Sequence, residues 1–166
     1  MRIGYSIVAA ALGFSAGLTL SPQIQGYNSQ SEPPQDSSRL NAKTLRNMME
    51  GLGHEMKVVN SEEGKEKFEI SMKSNNLTIP ISLEISGSKN YVWLTVFLSE
   101  NKPGKKYEDL LKENFAIQPT FFYITTKGNL MAAEAIDNRN INPGVLRRCI
   151  DKLVADVDKS SKVWGD

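Results

Sequence analysis

Cysteine and histidine are almost absent. Cys149 is the single cysteine and His54 the single histidine of the 166 residues. One cysteine excludes an internal disulfide. One cysteine and one histidine together exclude a typical structural zinc site. An excess of either charge is missing too: Lys and Arg total 20, Asp and Glu 19. Setting Arg2 aside leaves 19 basic against 19 acidic residues, so there is no electrostatic case for nucleic acid or an anionic surface.

What is present begins with "MRIGYSIVAAALGFSAGLTLSPQ". From Ile3 to Leu20 the chain carries no charge, and Arg2 supplies a short positive flank. Residues 1–20 therefore read as a secretory signal peptide or a retained membrane anchor, with a buried helix as the third reading. Either membrane reading sends the body across the membrane and places it outside the cytoplasm. Ser15-Ala16-Gly17 is a passable cleavage site, Ile24-Gln25-Gly26 a poorer one. Gly13-Phe14-Ser15-Ala16-Gly17 also matches the nucleophile-elbow pattern G-x-S-x-G, but it sits inside the apolar segment rather than between a strand and a helix. Residues 21–38, rich in Ser, Gln and Pro, read as a flexible linker.

The folded domain is expected over 39–166. Leu45, Met48, Met49, Leu52 and Met56 recur at helical spacing, and Gly51 and Gly53 end that helix near Glu50–Leu52. Phe68, Ile70 and Met72, then Leu77 to Ile85, alternate with polar residues as half-buried strands. Tyr91–Ser99 is apolar on both faces, which predicts a strand covered on two sides. Tyr107, Leu110, Leu111 and Phe115 mark a second helix. A hairpin follows from Phe121 to Ile136, turning at Lys127-Gly128-Asn129. Asn142 caps and Pro143 opens the last helix, whose stripe is Leu146, Cys149, Ile150, Leu153 and Val157, with Arg147, Arg148, Asp151 and Lys152 facing water. The fold class is therefore α+β: helix, three-stranded antiparallel meander, helix, β-hairpin, helix.

No catalytic constellation emerges. His54 cannot be tied by spacing to a Ser, Cys or acid. Cys149 lies on an apolar stripe and reads as a buried thiol. Glu62, Glu63 and Glu66 read as a solvated loop rather than an acid–base pair. The expectation is a chain that is not an enzyme, with no cofactor and no metal. In the hairpin, Phe122 and Ile124 alternate with Phe121 and Tyr123, so one sheet face packs on helices and the other exposes aromatics. Phe121 and Tyr123 are the candidate interface residues.

The order of elements resembles the type III secretion chaperone-like fold, including the YbjN-like proteins. The residues that carry the resemblance are "YEDLLKENFAIQPTFFYITTKGNLMAAEAI" and "NPGVLRRCIDKLVADVD", with a Leu-Leu-x-x-Asn step at Leu110 to Asn114, a glycine turn at Gly128 and a closing helix bearing Leu146, Ile150, Leu153 and Val154. The resemblance covers about residues 40–160. It implies a non-enzymatic protein-binding module, a homodimer, and an unnamed protein partner. The N-terminal segment and the neutral body depart from the cytoplasmic chaperones and favour an exported domain, periplasmic or otherwise extracytoplasmic, that reuses the fold. A cytoplasmic chaperone for secreted proteins and a small enzyme are the other readings.

Overall fold

The computed structural model of the chain describes residues 38–75, 77–100 and 107–165. The expected signal or anchor over 1–20 and most of the expected linker lie outside the described residues. Among the described residues, no helix is long and apolar enough to cross a membrane.

The elements run α1 (Ala42–Gly51), β1 (Lys57–Asn60), β2 (Lys67–Ser74), β3 (Leu77–Ile85), β4 (Tyr91–Glu100), α2 (Tyr107–Ala116), β5 (Phe121–Ile124), β6 (Asn129–Asp137), α3 (Pro143–Lys159) and α4 (Ser161–Trp164). The expected α+β order is present, with β1 and α4 in addition. The strands form one six-stranded sheet in the order β1-β2-β3-β4-β6-β5, and every neighbouring pair is antiparallel.

Local chemistry sets the helix ends. Asn41 caps α1 by accepting from the Thr44 N–H, while the Thr44 hydroxyl takes the Asn41 N–H, a reciprocal box. Asn142 caps α3 by accepting from the Val145 N–H, and Pro143 occupies the first turn, where no N–H is needed. The β5–β6 turn closes through Gly128, whose φ of 83° suits glycine.

Period-2 alternation sends Phe68, Ile70, Ile81, Leu83, Leu94 and Phe122 to one face of the sheet. There they meet Leu45 and Met49 of α1, Leu110 of α2, and Leu146, Ile150, Leu153 and Val157 of α3, all buried. Three expectations are corrected. Tyr91–Ser99 is not covered on two sides: Val92, Leu94 and Val96 are buried, whereas Tyr91 and Phe97 are exposed. Leu111 and Phe115 are not part of the inward stripe of α2 but stand exposed at 69% and 84%. Leu110 and the following Ile117 are the buried positions. Lys152 does not simply face water. It is half-buried and donates to Asp156 Oδ2 at 2.7 Å and to the Ile117 carbonyl at 3.1 Å.

Two asparagine side chains act as pieces of strand. Asn114 Oδ1 accepts from the Phe122 N–H at 2.6 Å, and Asn114 Nδ2 donates to the Phe122 carbonyl at 3.2 Å. β5 is the last strand of the sheet, so this amide takes the place of a further strand's peptide. Asn138, fully buried, does the same for the start of the domain: it accepts from the Leu40 N–H at 3.1 Å and donates to the carbonyls of Leu40 and Lys89, each at 3.0 Å.

Candidate functional site

The sheet face turned away from the core divides into two halves. On the half formed by β1, β2 and β3, Lys57 pairs with Glu69 at 3.0 Å and Lys67 with Glu84 at 3.5 Å. These exposed or half-exposed pairs contribute little stability, but with exposed Lys73 they make that half charged. The half formed by β4, β6 and β5 is apolar. It carries Tyr91, Trp93 and Phe97 from β4, Met131, Ala133 and Ala135 from β6, and Phe121 and Tyr123 from β5.

The middle strand explains how the rings sit. Trp93 lies opposite Ala135, and Phe121 opposite Ala133. Alanine on β6 leaves room for rings from both neighbours to lean over it. Trp93 and Phe121 consequently meet across β6 with centroids 6.2 Å apart, edge to face. Ala133 beneath is fully buried although no core residue covers it. Tyr91–Trp93 at 6.4 Å and Phe121–Tyr123 at 5.9 Å extend the row at both ends. Tyr91 and Phe97 remain 45% and 49% exposed; Trp93, Phe121, Tyr123 and Met131 are half-buried. Burial, with the Glu84 carboxylate as a smaller cause, pushes the Tyr123 hydroxyl above its usual range, so it stays a neutral donor.

The ring planes are inclined by 53°, 78° and 45° along the row. The four rings of the row therefore share no common plane. The relief is instead a ridged apolar surface suited to side chains. The ion pairs Lys67–Glu84 and Arg139–Asp137 lie along its border.

The structure thus places both candidate residues, Phe121 and Tyr123, on the face opposite the core and brings them together with Tyr91, Trp93, Phe97 and Met131. The last four carry a signal the sequence did contain: alternate positions of β4 and β6 fall on the same face once β6 is known to lie between β4 and β5. The other residues considered for chemistry stay apart. His54 lies with Glu55, Lys57 and Glu69 around a shallow cavity of about 320 Å³ near β1. Glu62 and Glu63 are exposed, and Lys65 pairs with Glu62. Cys149 is half-buried under β6, where burial first, and the Glu134 carboxyl second, push its thiol up to about 12.

Glu134 was missed by sequence reasoning. It points from β6 into the core, is 3% exposed, and is held above the usual carboxylate range by burial. A raised carboxyl is what a general acid needs, but this one lies under α3 and does not line the cavity near His54. Among the described residues no group of three or more His, Cys, Asp or Glu side chains is arranged to hold a metal ion.

No family model matches this chain, and no curated protein does. Among solved structures, it is similar to a chain from the "Structure of the HopA1-SchA Chaperone-Effector Complex". The two are 15% identical, the match covers 66% of this chain and 83% of that one, and the TM-score is 0.48.

Proposed function

We propose that this chain is a non-enzymatic protein-binding module, exported or membrane-tethered through residues 1–20, and that the aromatic half of its open sheet face receives a segment of a partner protein. One observation carries the reading: Tyr91, Trp93, Phe97, Phe121, Tyr123 and Met131 form a contiguous apolar surface outside the core. Exposed apolar patches of a few hundred Å² are often functional.

The footprint decides between a segment and a whole second domain. Three strands about 4.8 Å apart, and seven residues at about 3.3 Å each, give an area of about 300 Å². A stable interface between two folded copies covers about 800 Å² on each side. The aromatic half alone therefore suits one apolar segment, and the homodimer expected from the resemblance would need further surface.

A photo-crosslinking residue in place of Tyr123 tests the reading in cells. It is expected to capture a partner protein, while the same group in place of Glu63 on the exposed loop captures none. An adduct of twice the chain's own mass would show a second copy on this face. Equal, non-specific labelling from both positions would refute the binding role. Protease added to spheroplasts should digest the domain; full protection would remove the exported location.

A further inference from the structure

We propose that Glu134 is a protonation-controlled latch between β6 and α3: with its carboxyl neutral, α3 seats firmly on the sheet, and with the carboxyl ionised that seam loosens. The inference is independent of the function proposed above, which concerns the opposite face of β6.

The geometry supplies the reason. Leu94 faces Glu134 across the β4–β6 pair, so β4 offers it no polar group. From α3 it is met by Cys149, Lys152 and Asp156, and from the segment before β5 by Thr120. Arg148 adds its charge on the side of Cys149. An ionised carboxylate has about four acceptor sites to fill and no proton of its own to give. Donors here are scarce. Lys152, the nearest cation, is already engaged with Asp156 Oδ2 and the Ile117 carbonyl. Glu134 Oε2 and Thr120 Oγ1, both buried, make no hydrogen bond of good geometry among the described residues; the Thr120 hydroxyl lies only near enough to favour the charged carboxylate weakly. Asp156 is itself 9% exposed, so ionising Glu134 would set two buried carboxylates around one ammonium. A neutral carboxyl removes the second charge and gains a proton to donate.

Burial is the largest cause that raises the Glu134 carboxyl. The Cys149 thiol, the Lys152 ammonium and the Thr120 hydroxyl lower it, and Asp156 raises it. The folded state thus holds this proton more tightly than the unfolded chain does. The sign follows: the associated stability is complete below the unfolded value of about 4.3 and is lost as pH rises through the higher folded value.

Urea unfolding of the full chain and of its Glu134→Gln variant, from pH 4.5 to 8.5, tests the latch. The ratio of the two unfolding constants, parent over variant, should climb with pH by up to tenfold per unit between the two values and then level off. Corrected for the intrinsic rise of exchange with pH, the protection factors of α3 in the parent should fall over the same range by more than those of β2 and β3. A ratio independent of pH, or a loss of protection spread evenly through the domain, would overturn the proposal. Should the variant fail to fold, the carbon-13 titration of Glu134 in the unsubstituted chain decides: a midpoint at or below the usual glutamate value overturns the latch, and a midpoint above it sustains it.

Discussion

Replacing Asn114 isolates the cost of an unguarded sheet edge. Its side chain makes two partly buried hydrogen bonds to one residue, at 2.6 Å to the Phe122 N–H and 3.2 Å to the Phe122 carbonyl. Each such bond is worth about 0.5–1.5 kcal/mol net. Asn114→Ala should therefore cost about 2 kcal/mol, a substantial part of a usual total of about 5–15 kcal/mol. For a domain of this size that corresponds to a fall in Tm of about 6–8 °C. Thermal unfolding followed by circular dichroism measures it, with exposed Glu108→Ala as the reference. Asn114→Asp sharpens the test. An ionised aspartate still accepts from the Phe122 N–H but opposes the Phe122 carbonyl, whereas a protonated one can donate to it again. The Asp variant should therefore regain stability relative to Ala as pH falls below about 4. If Asn114→Ala unfolds with Glu108→Ala, and the Asp variant shows no recovery in acid, the amide is not closing this edge.

Two further outcomes are expected. Leu153, fully buried, should cost about 2–5 kcal/mol when cut to Ala, whereas Leu111→Ala, at a site 69% exposed, should stay within about 0.5 kcal/mol in the same denaturant titration. The Cys149 thiol, raised to about 12, should resist iodoacetamide at pH 8 in the folded chain and react at an ordinary rate once the chain is denatured; fast labelling of the native protein would contradict the α3–β6 packing.

Much of the architecture was legible because hydrophobic alternation and capping are local. Phe68 to Met72 and Leu77 to Ile85 alternate in sequence as they do in the sheet, and Asn142-Pro143 announces α3 by its own chemistry. What escaped depended on neighbours distant in sequence. β1 is four residues long, and its two adjacent valines are both exposed, so it has no period to read; pairing with β2 alone defines it. In α2, spacing pointed to Leu111 and Phe115, but the inward line instead passes through Asn114, a polar residue recruited by Phe122. Lys152 looked solvent-facing because its charge was weighed without Asp156 one turn later. The aromatic surface was half visible. Phe121 and Tyr123 stand on one face by alternation alone, but their joining with Trp93 requires knowing that an alanine-bearing strand separates β5 from β4. Glu134 had a signal that passed unused: it is the one acid inside the apolar run Leu130–Ile136.

The side chain of Asn138 has a mechanical consequence. Tension arriving along the chain ahead of Ser38 would first meet the Arg39–Arg139 bridge and the bond from the Asn140 N–H to the Ser38 carbonyl. Behind these, the Asn138 amide grips both backbone groups of Leu40 and, through Lys89, the turn before β4. A pull would therefore be shared in parallel among several bonds and delivered to the middle strands of the sheet before it reached α1. A pull applied ahead of Ser38 would then leave the first helix wound for as long as that one amide holds.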